Sequence, residues 1–314
     1  MLNILNEMLN KDLPVCVALS GGVDSIVLAE LASRWGSQHE QPIYAVHVNH
    51  GLSEHAAEWT AFVESFCSER NIRLQVAHVT LDRKPRESLE DVARKARYSA
   101  IDELSPPKSQ ILLAHHLDDQ LETVLLSLKR GAGALRLGGI LPIVEAHNSK
   151  RYVRPLLNMS KEDVLAYARD NQLNWVEDDS NNDSAYDRNF LRNEIIPALK
   201  GRWGGLLTAT ARTCKILQSE NRIVELHTKQ VLDKISDDAG NLIIKNMAEF
   251  TADERKLAIR LWIKGNGVNP PREDRIDQIY NEVALAGDNR HPVFKFPGAI
   301  ITRKKGLLCF QKAG

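Results

Sequence analysis

Hydrophobic positions along the first 130 residues alternate between two periods. Short apolar runs with β-branched residues, Val15 to Leu19, Ile43 to Val48, Arg73 to Val79 and Ile111 to Ala114, read as strands. Between them the apolar residues recur at helical spacing. Ser25 to Arg34 is one such stretch, and Ala57, Ala61, Phe62 and Phe66 mark a second that begins after Ser53 and ends near Arg70. Ser88 and Asp91 open a third that runs to about Glu103, where Pro106 and Pro107 stop it. Asp118 to Lys129 is the fourth, with Leu121, Val124, Leu125 and Leu128 on its apolar side. Strand and helix in alternation predict an α/β fold around a doubly wound, mostly parallel sheet.

The punctuation changes beyond Gly131. GAGALRLGGILP holds too much glycine to continue a helix and is expected to form a loop. Ser160 and Asp163 should start a further helix, and Asn189 to Lys200 another despite Pro197. The pattern after residue 204 is mostly helical, with Thr251 and Glu254 as a capping box before LAIRLWIKG, and it ends in a strand-like tail from Val293 to Phe310 turned at Pro297, Gly298 and Gly306. These features predict one domain over residues 1–215 and a smaller, mainly helical one over 216–314, with the boundary inside a long helix.

Composition narrows the function classes. With 314 residues, 43% of them hydrophobic, the chain should bury a core, which excludes intrinsic disorder. No apolar run reaches the roughly 18 residues of a membrane span, and MLNILNEMLNKDLP lacks the marks of a signal peptide, so a cytoplasmic protein without membrane partners is expected. Cys16, Cys67, Cys214 and Cys309 form no CxxC pair, which argues for reduced, mostly buried thiols over a zinc site or disulfides. Basic and acidic side chains number 41 each, so any attraction for nucleic acid must be local.

The most informative segment is Ser20-Gly21-Gly22-Val23-Asp24-Ser25, which leaves the first strand and opens the first helix. Ligands bind at that end of open α/β sheets. Glycines let backbone N–H groups approach phosphate oxygens, two serine hydroxyls add donors, and the helix start is electropositive. The segment lacks the Gly-Lys-Ser/Thr ending of a Walker A loop. Asp24 beside a triphosphate is most simply a Mg²⁺ ligand. The bland alternative is a tight turn with Gly21 and Gly22 at positive φ and Ser25 as a cap. SGGVDS after a strand resembles the PP-loop of the ATP pyrophosphatase superfamily, the adenine nucleotide alpha hydrolase-like fold, whose members cleave between the α and β phosphates.

A second cluster follows the fourth strand. In His115-His116-Leu117-Asp118-Asp119-Gln120-Leu121-Glu122, Asp119 and Glu122 are three apart and His115 precedes Asp119 by four, so all three can share a helix face. The spacing is not that of an HExxH zinc site. Recognition of a cationic substrate and simple N-terminal acids remain as readings, and the latter leaves Glu122 with His115 unexplained.

AHHLDDQLET, LKRGAGALRLGGI, RPLL and WVEDDSNNDSAYDRNFLRNEIIPAL resemble tRNA(Ile)-lysidine synthetases, together with SGGVDS, HVNHGL at His47 to Leu52 and ARKARY at Ala93 to Tyr98. The likeness covers most of residues 15 to 200 and makes residues 1–215 the PP-loop ATP-binding catalytic domain. It implies ligation of free L-lysine to C2 of the wobble cytidine in the CAU anticodon of tRNA(Ile), with ATP and Mg²⁺ as cofactors and AMP and pyrophosphate as products. Ser20, Gly21, Gly22, Val23, Asp24 and Ser25 would then hold ATP, with Asp24 on the metal, and His115, Asp119 and Glu122 would form the lysine side. A homodimer is one assembly compatible with it. Residues 216–314 resemble the family's first C-terminal domain more weakly and are expected to contact tRNA. Some members carry a further domain that grips the acceptor stem; a chain ending at Gly314 has no room for it, which implies either a short form or a truncation.

Arginines complete the candidate set. Arg94 and Arg97 lie three apart on a predicted helix, ordinarily a solvated basic face. Within the family-like ARKARY pattern Arg97 is the better candidate for the phosphates or the transition state, because a guanidinium offers paired donors. Arg188, Asn189 and Arg192 beside Asp187 suggest an ordered polar site within a segment otherwise rich in Asx turns. From Arg188 to Arg222 seven basic residues, Arg188, Arg192, Lys200, Arg202, Arg212, Lys215 and Arg222, face two acidic ones, a candidate phosphate-binding face. Trp203 or Tyr186 could stack splayed bases, with core packing as the rival for Trp203. Lys129, Arg130 and Arg136 give the Gly-rich loop a basic character suited to a lid or RNA contact; a plain connector is the competing view. The scattered cysteines disfavour sulfur transfer, leaving another PP-loop enzyme, such as a tRNA thiolase or an amide-forming synthetase, or a non-catalytic nucleotide-binding protein as alternatives.

Overall fold

The computed structural model describes residues 1–51, 53–81, 89–146, 148–177, 187–287, 290 and 292–313, and the chain divides into two compact units, Met1–Gln218 and Ser219–Gly314. In the first, strands β1 (Val15–Ala18), β2 (Ile43–Asn49), β3 (Arg73–His78), β4 (Gln110–Leu112), β5 (Ile143–Glu145) and β6 (Arg151–Val153) form one sheet in the order β3-β2-β1-β4-β6-β5. Every pair is parallel except β5 against β6. The expected doubly wound α/β sheet is therefore present.

Strand β1 is central because it is apolar on both faces. Val15 and Val17 enter one core with Ile26, Leu28 and Trp35, while Cys16 enters the other with Ile101, Ile111 and Tyr152. The first face is covered by α1 (Leu2–Met8), α2 (Val23–Gln38) and α3 (Ala56–Glu69), the second by α4 (Leu89–Leu104). Helix α2 is buried almost all round, with Ile26 to Ala29 each 0% exposed; truncating Leu28 to Ala would cost about 2–5 kcal/mol. Ser88, expected to cap α4, lies outside the described residues.

The chain steps from β1 to β2 and β3 on one side, then returns to lay β4 on the other side of β1. That reversal opens a crevice at the carboxyl ends of β1 and β4. Beyond β1 comes α2, and beyond β4 comes α5 (Leu117–Lys129), so the two polar segments singled out in the sequence meet at one place.

Two details depart from expectation. The Gly-rich stretch after residue 131 holds a short helix, α6 (Ala134–Leu137), that starts at Gly133. After α7 (Lys161–Asp170), the helix expected over 189–200 is split into α8 (Asp187–Phe190), a wide π turn (Leu191–Ile195) and α9 (Ile196–Arg202). Pro197 lacks an N–H and its ring would crowd the carbonyl four residues back, and the wider turn relieves both. Helix α10 (Leu206–Ile235) then carries the chain across the division between the units.

The second unit pairs helices with an antiparallel sheet. Strands β7 (Leu242–Ile243), β8 (Val293–Phe296), β9 (Ala299–Lys304) and β10 (Leu307–Lys312) are ordered β7-β10-β9-β8, with α11 (Ile244–Met247), α12 (Ala252–Gly265) and α13 (Glu273–Gln278) beside them. The tail strands turn at Gly298 and Gly306, both at positive φ. The capping box is present: Thr251 N–H donates to Glu254 Oε2 at 2.8 Å. Met247, Ile259, Ile263, Ile276, Ile301 and Leu308 fill the core at 0% exposure. Among the described residues no helix is long and apolar enough to cross a membrane.

Candidate active site

The SGGVDS turn is held by its own side chains. Ser25 Oγ accepts the N–H groups of Ser20 and Gly21, each at 3.2 Å, and donates to Gly22 O at 2.9 Å. Ser25 is thus an internal strut, while Ser20 is exposed. Only Gly21 takes a positive φ, +94°, and a Cβ there would lie 2.8 Å from Val176 Cγ2; Gly22, at φ −71°, is the cap of α2. The bland alternative of a turn with both glycines at positive φ holds for Gly21 alone, because Gly22 already has the extended geometry of a helix cap. Val23 is buried beneath the turn and Asp24 is half-exposed in the first turn of α2.

At the start of α5, Asp119 Oδ2 accepts the His116 N–H at 2.9 Å. His116, 4% exposed, is ringed by carboxylates: Nε2 lies 3.5 Å from Asp119 and 3.8 Å from Asp24, and Nδ1 lies 3.6 Å from Asp118. Burial disfavours its cation, but these acids prevail and raise its pKa above the ordinary value. Glu122 is buried and gripped by Arg192, Nε to Oε1 at 2.7 Å, and Arg192 Nη2 also reaches Asp119 Oδ1 at 3.2 Å. Burial pushes the Glu122 carboxyl up, partly countered by Arg192, whereas Arg192 itself is pushed up by Glu122 against its own burial. The two directions pull opposite ways on the pair; the paired hydrogen bonds are those of an ionised carboxylate and guanidinium.

His115 belongs to the same site by a different route. Arg154 Nε donates to His115 Nδ1 at 3.3 Å, which leaves the ring neutral with its proton on Nε2. Burial, aided by Arg154, Arg94 and Arg188, brings its pKa down to about 4 against the pull of Asp119. Arg188 therefore acts on His115, and it also lowers Glu122. Asn189 follows it in α8. Arg97 and Arg94 are both exposed on α4; Arg97 bears on His50 at the end of β2, whereas Arg94 is the one that acts on His115.

Three groups escaped the reading of the sequence. Lys161 Nζ lies 2.7 and 2.8 Å from the two oxygens of Asp24. Asp118, 7% exposed, accepts Lys161 N–H and Lys200 Nζ, each at 2.9 Å, and Lys200 also reaches Glu162 at 2.5 Å. Burial alone would raise the Asp118 pKa, yet His116, Lys200 and the Lys161 N–H hold it far below the aspartate range. Arg154 is the third. A lysine in the first turn of a helix was a legible signal, since that end favours anions.

The basic run from Arg188 to Arg222 contracts accordingly, because Arg192 and Lys200 are spent on carboxylates. Arg202, Arg212 and Lys215 are exposed. Trp203 is 55% exposed and so is not core. Tyr186 lies outside the described residues. Cys16, Cys67 and Cys214 are buried, and burial pushes the first two thiols up to about 12.

A divalent metal fits only with help. Among the described residues no three His, Cys, Asp or Glu side chains are grouped to hold an ion. Asp24 offers one carboxylate that already accommodates a cation, the Lys161 ammonium. One carboxylate with phosphate oxygens and water is a normal Mg²⁺ shell.

A family model described as a PP-loop domain matches residues 1–199, which include both polar clusters, and one described as the TilS substrate binding domain matches residues 242–309. The tRNA(Ile)-lysidine synthase of Vibrio vulnificus is 34% identical over 300 residues, 96% of this chain and 69% of its own. The chain belongs to the tRNA(Ile)-lysidine synthase family. The tRNA(Ile)-lysidine synthase of Vibrio cholerae serotype O1 is 36% identical over 90% of this chain and 64% of its own, so this chain spans about two thirds of the length of such relatives. The U34-tRNA thiolase NcsA from Methanococcus maripaludis, with its [4Fe-4S] cluster, superposes with a TM-score of 0.56 at 20% identity, covering 69% of this chain and 77% of its own. That likeness shows a shared fold, which in the lysidine synthase family is the PP-loop unit at residues 1–199.

Proposed function

We propose that the protein joins the ε-amine of free lysine to C2 of the wobble cytidine in the CAU anticodon of tRNA(Ile), converting ATP to AMP and pyrophosphate. The observation that carries this reading is family membership through both units, combined with the meeting of the PP-loop and the acidic α5 cluster at the sheet's switch point.

Cytosine O2 attacks the α phosphorus, pyrophosphate leaves, and the adenylated C2 becomes electrophilic. The lysine amine then attacks C2 and expels AMP. The SGGVDS turn, whose Ser20 and Gly21 N–H groups are held by Ser25, offers the electropositive start of α2 to the triphosphate. Mg²⁺, held by Asp24 with phosphate oxygens, would neutralise charge on the departing pyrophosphate. Asp119 and Glu122 supply anions for the lysine ammonium, whose reference pKa of about 10.4 requires that a proton be lost before attack. Neutral His115, with its proton on Nε2, is a hydrogen-bond donor beside them. Arg97, Arg188 and Asn189 complete the polar rim toward phosphates and substrate, and exposed Trp203 with Arg202, Arg212 and Lys215 suits an RNA backbone and its unstacked bases.

Sulfur transfer is less well supported, since three of the cysteines are buried. The test supplies ATP, radiolabelled lysine and a panel of tRNAs. Label entering only CAU-anticodon tRNA is expected; no incorporation into any tRNA by folded protein rejects the proposal.

A further inference from the structure

Lys161 is held in place by more than its pair with Asp24. Ser160 caps α7 by accepting the Asp163 N–H at 3.1 Å, and the next residue, Lys161, gives its own N–H to buried Asp118 on α5. Val164 and Ala168 of α7, both 0% exposed, pack into the core that holds α2. The start of α7 is thereby fixed against the starts of α5 and α2. Its ammonium is aimed at both oxygens of Asp24 across 137 residues of sequence.

The location is against local preference. The first turn of a helix repels a cation, and here the starts of α2 and α7 both lie beside the ammonium. The surroundings therefore favour an arriving anion, and Lys161 adds a full positive charge to them. The ammonium is 34% exposed and the carboxylate 28%, so the pair is screened and exchangeable. A magnesium-bearing triphosphate brings a cation for Asp24 and oxygens for Lys161 in one step.

We propose that Lys161 is a triphosphate-binding residue that neutralises Asp24 until the metal-nucleotide takes its place, and then pairs with the phosphate oxygens. This rests on the reading of the SGGVDS turn as an ATP site. It also gives a role to the joining of Asp118, Lys200 and Glu162 at the start of α7: they position the lysine.

The test is equilibrium binding to the full chain, by calorimetry, of Mg·ATP and of adenosine, for the wild type, Lys161→Met and Lys161→Arg, with thermal unfolding as the folding control. Lys161→Met should bind Mg·ATP roughly tenfold more weakly or worse and adenosine as the wild type does, with Lys161→Arg recovering part of the loss. Unchanged Mg·ATP affinity in folded Lys161→Met overturns the proposal, as does an equal loss for adenosine, which would mark a structural role. A wild type that binds no Mg·ATP at all would instead remove the ATP reading beneath it.

Discussion

Arg192 meets Glu122 at two points, Nε to Oε1 at 2.7 Å and Nη2 to Oε2 at 3.0 Å, and in doing so ties the π turn to the face of α5. The carboxylate is 1% exposed while the guanidinium is 42% exposed, so the two partners are not equivalent. Removing the arginine strands a buried charge. Arg192→Met should cost about 2–3 kcal/mol at neutral pH, below the usual loss for a fully buried pair. Glu122→Gln retains one acceptor and should cost less. Chemical denaturation of both variants checks the order, and an equally stable Arg192→Met would show that the pair contributes nothing.

The same carboxylate is placed on the lysine side of the reaction. Glu122→Gln should raise the KM for lysine more than that for ATP, read by steady-state incorporation of lysine into tRNA. A change confined to the ATP dependence would put Glu122 in the other half of the site.

The two glycines of the turn should respond differently. Gly21→Ala meets both the +94° φ and a 2.8 Å contact with the branched Val176 side chain, and should cost about 1–3 kcal/mol. At Gly22 the nearest atoms are 3.6 and 4.0 Å from a new Cβ and φ is ordinary, so Gly22→Ala should fold with little loss. Unfolding midpoints of the two variants decide it; equal losses would contradict the turn's geometry.

Asp24→Ala should abolish tRNA-dependent pyrophosphate release while leaving the circular dichroism spectrum and unfolding midpoint close to the wild type. Undiminished release would refute its assigned role.

His115 gives a pH dependence with a defined sign. Its folded pKa, lowered to about 4, lies below the unfolded reference of about 6.5, so in that window the unfolded chain binds the extra proton. The stability it contributes is complete above about pH 6.5 and is lost as pH falls toward 4. His115→Gln should flatten the fall in unfolding midpoint over that window. An identical pH profile for the variant would show that His115 titrates normally.

Much of this was legible in the sequence. β1 could be read because Val15, Cys16 and Val17 leave no polar alternation, and that same double-sided burial puts it at the centre of the sheet. The Thr251 and Glu254 signature marked a helix start because capping is local chemistry. The partners of Lys161, Lys200 and Arg154 were not legible, since each is acquired only through folding: Asp24 and Lys161 are 137 residues apart, and Lys200 reaches Asp118 across 82. Composition misled in one place. Counting Arg192 and Lys200 toward an RNA face ignored the buried carboxylates that consume them. The π turn before Pro197 was missed because the residues around it keep helical spacing.

The most direct test of the central claim is the fate of the nucleotide. With ATP labelled at the α phosphorus, lysine and CAU-anticodon tRNA present together, the account predicts AMP in step with lysine incorporated, and pyrophosphate as the other product. ADP with orthophosphate, or AMP formed at the same rate without tRNA, would contradict it.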